Sequence, residues 1–228
     1  MTAYDAAALI DVSAVRTHNT ISDIEECVNY AKKYRFINVH SLPCFTKFVA
    51  GLLANEEDIF VGAPVGFPSG GHATQTKLLE AKQLIEDGVD EMDIVMNVGK
   101  FRSGEYGYVL NELKEIIDIT PEKVLIKVII ELNCLGDDEI EQACGIVAAS
   151  GADFLKTGTG WIPGAVNIGR IRKIKEILRG RVKVKAAGGI RTREEFDALL
   201  ALGVERFGIN TKSAVEIVES FSLTADEG

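Results

Sequence analysis

Short apolar runs rich in β-branched residues alternate along the chain with segments whose apolar positions recur every third or fourth residue. The runs predict strands at Leu9–Val12, Phe36–His40, Asp58–Ala63, Met92–Asn97, Val124–Glu131, Phe154–Thr157, Val182–Ala187 and Arg206–Ile209, eight in all. The intervening stripes are helical. Ile168, Ile171, Ile174 and Ile177 precede the strand at Val182, and Leu110, Leu113 and Ile117 precede the strand at Val124, so each segment offers one apolar face to a sheet. Ser22, with Glu25 three residues on, reads as a capping box. Gly88, Gly151 and Gly203 stand where a helix favours a left-handed terminus.

Eight strands with crossover helices in 228 residues predict an α/β chain folded as a single (β/α)8 barrel, the TIM barrel, over residues 1–228 with a short N-terminal extension. An open doubly wound sheet would use fewer strands or longer linkers, and neither GxGxxG nor GxxxxGK[ST] follows the first strand. A weak internal repeat sharpens this picture. Gly88-Val-Asp-Glu-Met-Asp93, Gly151-Ala-Asp-Phe-Leu-Lys156 and Gly203-Val-Glu-Arg-Phe-Gly208 share glycine, a small apolar residue and an acid. Either this is a common helix-to-strand turn or the copies are equivalent barrel units. In the second case Asp93, Lys156 and Gly208 lie at similar depth and differ for chemical reasons.

Composition narrows the partners. The chain is 46% hydrophobic and 26% charged, which excludes disorder; 25 Lys and Arg against 34 Asp and Glu give a net charge of −9, so no basic surface awaits nucleic acid. No apolar run approaches the roughly 18 residues that span a bilayer. The opening MTAYDAAALIDV lacks the basic head and apolar stretch of a signal peptide, and a cytoplasmic location without membrane contact is expected. Cys27, Cys44, Cys134 and Cys144 form no CxxC pair and read as buried structural thiols. His18, His40 and His72 are isolated, so no metal site is expected.

Lys156, in FLKTGTG, and Lys185, in VKVKAAGG, occupy strands that should be buried, where an ammonium is costly to desolvate. Two such groups brought together repel, and repulsion with partial desolvation lowers one pKa toward neutrality. A neutral lysine attacks a carbonyl and forms a Schiff base, whose protonated imine stabilises a neighbouring carbanion as an enamine. Asp93, in EMDIVMN, is a carboxylate in an otherwise apolar strand and suits a proton relay. Alone, each residue fits an ordinary salt bridge at a barrel end; together on one barrel they point to proton transfer with carbon–carbon cleavage. Lys127 and Lys183 are rivals, read as members of structural ion pairs because they lie deeper than the C-terminal rim.

The turns after the last two strands are rich in glycine: Gly188-Gly189-Ile-Arg-Thr192 and Gly208-Ile-Asn210-Thr211. In barrels these loops commonly hold phosphate on backbone N–H groups, and Gly160 offers a further amide. Tight turning alone also accounts for such glycines.

Across nearly the whole chain, the motifs resemble the deoxyribose-phosphate aldolase family of class I aldolases. GFPSGG (Gly66 to Gly71), TKLLEAKQLIEDGVDEMDIVMNVG, KVIIE (Lys127 to Glu131), GADFLKTGTG and VKAAGGIRT carry the likeness. It implies that Lys156 forms the Schiff base, that Lys185 lowers its pKa and handles protons, and that Asp93 is the relay acid. It implies reversible cleavage of 2-deoxyribose 5-phosphate to acetaldehyde and glyceraldehyde 3-phosphate, with no metal or organic cofactor. Gly160, Gly188, Gly189, Asn210 and Thr211 match the phosphate-holding segments, and the family suggests a homo-oligomer, a dimer or tetramer.

The chain also departs from the family pattern. Gly158 stands where KTSTG has serine, Asn210 and Thr211 where serine is common, and His40 where cysteine is frequent; Trp161 places a bulky ring after Gly160. These changes leave open a different phosphorylated sugar or keto substrate for the same lysine chemistry, or a barrel that binds a sugar phosphate without turning it over. Burying three charged groups brings a mere binding module nothing.

Overall fold

In a computed structural model, which describes residues 1–223, every run expected as a strand forms one, displaced by a residue or two. The strands are β1 (Ile10–Ala14), β2 (Asn38–Ser41), β3 (Phe60–Val65), β4 (Glu91–Val95), β5 (Leu125–Ile129), β6 (Phe154–Lys156), β7 (Lys183–Ala187) and β8 (Arg206–Asn210). All pairings are parallel, and β8 returns to β1 to close the barrel. The expected (β/α)8 architecture is therefore the one observed.

The helices are α1 (Ala3–Ala7), α2 (Ile21–Tyr34), α3 (Thr46–Leu53), α4 (Thr74–Glu86), α5 (Val98–Arg102), α6 (Tyr106–Asp118), α7 (Glu139–Ser150), α8 (Ile168–Leu178), α9 (Arg193–Ala201) and α10 (Thr211–Leu223). The N-terminal extension is α1, which packs on α10. On α8 the buried face is Ile171, Ile174 and Leu178, each contributing about 1.5–3 kcal/mol when fully withdrawn from water. On α6 it is Val109, Leu113 and Ile116, so the stripe shares Leu113 with the expected line but is turned slightly from it, leaving Leu110 and Ile117 half-buried.

Helix ends follow local chemistry with one correction. The box at α2 is formed by Thr20 with Asp23, each side chain bonding the other's backbone N–H, while Ser22 lies inside the helix. Ser22 is excluded because the chain turns helical at Ile21, and the cap must be the extended residue before it. Gly88, Gly151 and Gly203 do take positive φ, 89°, 91° and 76°, at the ends of α4, α7 and α9.

The barrel interior is layered. Asn38, Glu91, Phe154 and Arg206 come from the even strands: Asn38 Nδ2 donates to Glu91 at 2.9 Å, Arg206 Nη2 to Glu91 at 2.8 Å, and the Arg206 guanidinium lies 5.9 Å from the Phe154 ring centre. Above them Asp11, Gly62, Lys127 and Lys185 come from the odd strands, and then His40, Asp93, Lys156 and Gly208 from the even strands again. Such alternation is how a closed parallel barrel fills its interior, usually with branched apolar side chains. Here charge replaces them.

Candidate active site

Asp93 is the hub of the upper layers. Its Oδ2 accepts from Lys156 Nζ at 2.6 Å and Lys185 Nζ at 2.8 Å, and its Oδ1 lies 3.2 Å from Lys127 Nζ. Lys185 also reaches Asp11 at 2.5 Å, and Arg206 bridges Asp11 to Glu91 at 2.8 Å each. Lys156 and Lys185 meet because they are register partners on neighbouring strands, and Asp93 approaches from β4 across the barrel.

The electrostatics of these groups diverge. Burial lowers the Lys156 amine to about 8, Asp93 opposes the shift, and the charges of Lys185 and Lys127 reinforce it. Burial would also lower Lys127, but Asp93, Glu91 and Asp11 outweigh it and hold that ammonium above the ordinary range. Burial would raise Asp93; Lys127, Lys156 and Lys185 overcome it and keep the carboxyl well below the usual range. Asp11 is likewise held low against burial by Lys185, Arg206 and Lys127. Desolvation is thus the leading cause at Lys156, and repulsion from a second lysine is secondary, which reverses the weight the sequence suggested. Formal charges agree: Lys127, Lys156, Lys185 and Arg206 face Asp11, Glu91 and Asp93, so the cluster is neutral once Lys156 gives up its proton.

A cavity of about 170 Å³ opens at the C-terminal end of the strands, and both Lys156 and Lys185 line it. Asp93 lies beneath them, fully buried. Of the phosphate candidates, Gly160, Gly188, Gly189 and Asn210 are on the wall. Thr211 is not: it opens α10, and its hydroxyl turns to the Ser13 carbonyl at 3.4 Å. Asn210 caps that helix, its Oδ1 accepting from Ser213 N–H at 3.1 Å. Gly188 and Gly189 take positive φ values, 89° and 107°, and at Gly189 a Cβ would also come 3.0 Å from Gly164 O and Val166 N, so the loop after β7 packs there directly on the backbone of the loop after β6.

Trp161 does not stand on the cavity wall; Ile162 and Phe67 do. The indole is engaged above it, donating to Val15 O at 3.2 Å and meeting Phe67 edge-on, with ring centres 5.7 Å apart. Gly158 faces Glu131, whose Oε1 would lie 2.9 Å from an added Cβ. Of the rival lysines, Lys127 is the ion-pair member expected, whereas Lys183 is exposed and its Nζ lies 5.5 Å from the Phe154 ring centre; no ion pair holds it among the described residues.

The profile of the DeoC/LacD family aldolases matches residues 11–208. The deoxyribose-phosphate aldolase of Rhizobium meliloti is 47% identical over 94% of this chain and 86% of its own, and that of Klebsiella pneumoniae 40% identical over 95% and 88%. The chain belongs to the DeoC/LacD aldolase family. Among solved structures it is similar to QR15, an aldolase, with a TM-score of 0.89 at 36% identity over 95% of this chain and 96% of that one. It is also similar to a deoxyribose phosphate aldolase from Aeropyrum pernix described as having a unique tetrameric structure, with a TM-score of 0.88 at 26% identity over 97% and 92%.

In this DeoC/LacD aldolase several groups at the site escaped sequence reasoning. Asp11 gives the same signal as Asp93, an acid inside an apolar strand, and could have been found by it. Glu91 and Arg206 start their strands and look like surface charges until the barrel closes over them. Glu131 has a left-handed backbone, φ 49°, and a buried carboxylate that accepts the Thr159 N–H at 3.3 Å and the Thr159 hydroxyl; burial raises its pKa. Arg16, on the cavity rim, donates to Gly160 O at 3.0 Å. Cys27 and Cys144 are buried as expected, but Cys44 is exposed and Cys134 half-buried, because both fall in short helical turns that only graze the core. Among the described residues no group of three or more His, Cys, Asp or Glu is disposed to hold a metal ion, and no helix is long and apolar enough to cross a membrane.

Proposed function

We propose that this aldolase splits 2-deoxy-D-ribose 5-phosphate reversibly into acetaldehyde and D-glyceraldehyde 3-phosphate through a Schiff base on Lys156. One contrast between lysines held on Asp93 carries the assignment: Lys156 lines the cavity and is lowered to about 8, while Lys127 lies beneath it and is raised. A nucleophile must be both accessible and neutral.

The neutral amine adds to the aldehyde of the open-chain sugar, and loss of water leaves a protonated imine. The C2–C3 bond then breaks, its electron pair entering the imine to form an enamine, while the C3 hydroxyl loses its proton and becomes the aldehyde of the departing product. Protonation of the enamine and hydrolysis release acetaldehyde. Lys185 and Asp93 serve as the proton carriers, since their hydrogen bond ends on the oxygen that also holds Lys156. The phosphate rests against the backbone of Gly160, Gly188 and Gly189 and near Asn210. Two or four copies associating in the cytoplasm accompany this reading; the tetrameric relative supports the association.

Borohydride reduction in the presence of acetaldehyde, followed by peptide mass mapping, tests it. A two-carbon adduct on Lys156 is expected, with none on Lys156→Ala. An adduct confined to another lysine, or near wild-type turnover of the alanine variant, rejects the assignment.

A further inference from the structure

His40 is the third residue of β2, in the layer that holds Asp93 and Lys156, and its ring lines the cavity. It is 3% exposed, and neither ring nitrogen has a hydrogen-bond partner; the nearest acid is Asp93, whose Oδ2 is 3.6 Å from Nε2. Space for the ring is built in: a Cβ at Gly62 would stand 2.2 Å from Nδ1. Buried polar atoms are ordinarily satisfied, and leaving them bare costs more than an ordinary hydrogen bond returns. A molecule in the cavity is what this imidazole can bond without disturbing the charge cluster.

Resting on the function proposed above, we infer that His40 is a specificity residue, whose imidazole binds the hydroxyl β to the Schiff base, the group that becomes the new aldehyde on cleavage. Burial keeps the ring uncharged, with its pKa well below the ordinary range; Asp93 opposes this, and Lys185, Lys156 and Lys127 reinforce it. An uncharged imidazole has one donor and one acceptor, either of which can serve a hydroxyl, whereas a phosphate dianion can use only the donor. Its place is right, because Nε2 and Lys156 Nζ both border the same Asp93 oxygen. The bonded hydroxyl would be fixed within a few bonds of the carbon attached to Nζ.

The test separates two activities of one protein. Exchange of the methyl protons of acetaldehyde in D2O needs the imine and the proton carriers but no β-hydroxyl; sugar phosphate cleavage needs all of them. His40→Ala is expected to lower the ratio of cleavage to exchange by about tenfold or more, as befits a lost hydrogen bond to the reacting group. His40→Gln, which keeps an uncharged donor and acceptor, recovers part of it. Equal loss of both activities, an unchanged ratio, or a glutamine no better than alanine overturns the inference. If wild-type protein shows neither activity, the proposed function itself fails and the inference falls with it.

Discussion

Lys156 and Lys185 are register partners on adjacent strands, and their ammonium nitrogens sit on the same oxygen of Asp93, at 2.6 and 2.8 Å. Neither side chain faces a separate compartment, since one cavity is lined by both. The positive charge of Lys185 pushes the Lys156 amine down. Lys185→Met removes that charge and leaves Asp93 freer to stabilise the Lys156 ammonium, so the alkaline midpoint of the rate profile moves up from about 8. Loss of a proton carrier lowers kcat as well, by about 10²–10⁴-fold. A pH–rate series on the variant checks both, with the midpoint read as a property of the coupled cluster.

Gly208 faces Lys185 from the neighbouring strand: an added Cβ would stand 3.1 Å from Lys185 Cε and 2.9 Å from Ala187 Cβ. Gly208→Ala therefore pushes the lysine stem. Displacement by a fraction of an ångström is expected to reduce kcat about 10- to 100-fold. Overpacking costs about 1–3 kcal/mol of stability. Steady-state kinetics beside urea unfolding distinguish the two effects.

Outside the barrel, Lys77 and Glu112 form a fully buried pair between α4 and α6, 2.6 Å apart, and Lys77 also donates to Val95 O at 2.9 Å. Removing one member leaves the other charge buried without compensation. Lys77→Met is expected to destabilise the fold by about 3–5 kcal/mol, and Lys77→Met with Glu112→Leu by much less. Denaturant midpoints of the two variants check this.

The barrel was legible because its signals are local. Alternation of apolar runs and stripes marked all eight strands. The repeat ending in Asp93, Lys156 and Gly208 located the third residue of β4, β6 and β8, which closure brings to one layer. His40 fills the corresponding place on β2, yet its strand lacks the glycine-acid prelude, so nothing in the repeat marked it. Glu91 and Arg206 were missed for another reason: whether a charge at a strand start faces water or a partner depends on the stagger between strands, which no short window encodes. The leading role of desolvation at Lys156 was hidden for the same cause, since burial comes from packing around the residue.

The central claim is tested most directly by the pH dependence of borohydride trapping of acetaldehyde, read as the fraction of the Lys156 peptide that carries the adduct. Neutral amine rises about tenfold per pH unit below the midpoint and then levels off, so trapping should climb through neutrality and reach half its plateau near pH 8. A half-point near 10.5, the ordinary value for a lysine, or label appearing on a different lysine, would contradict it.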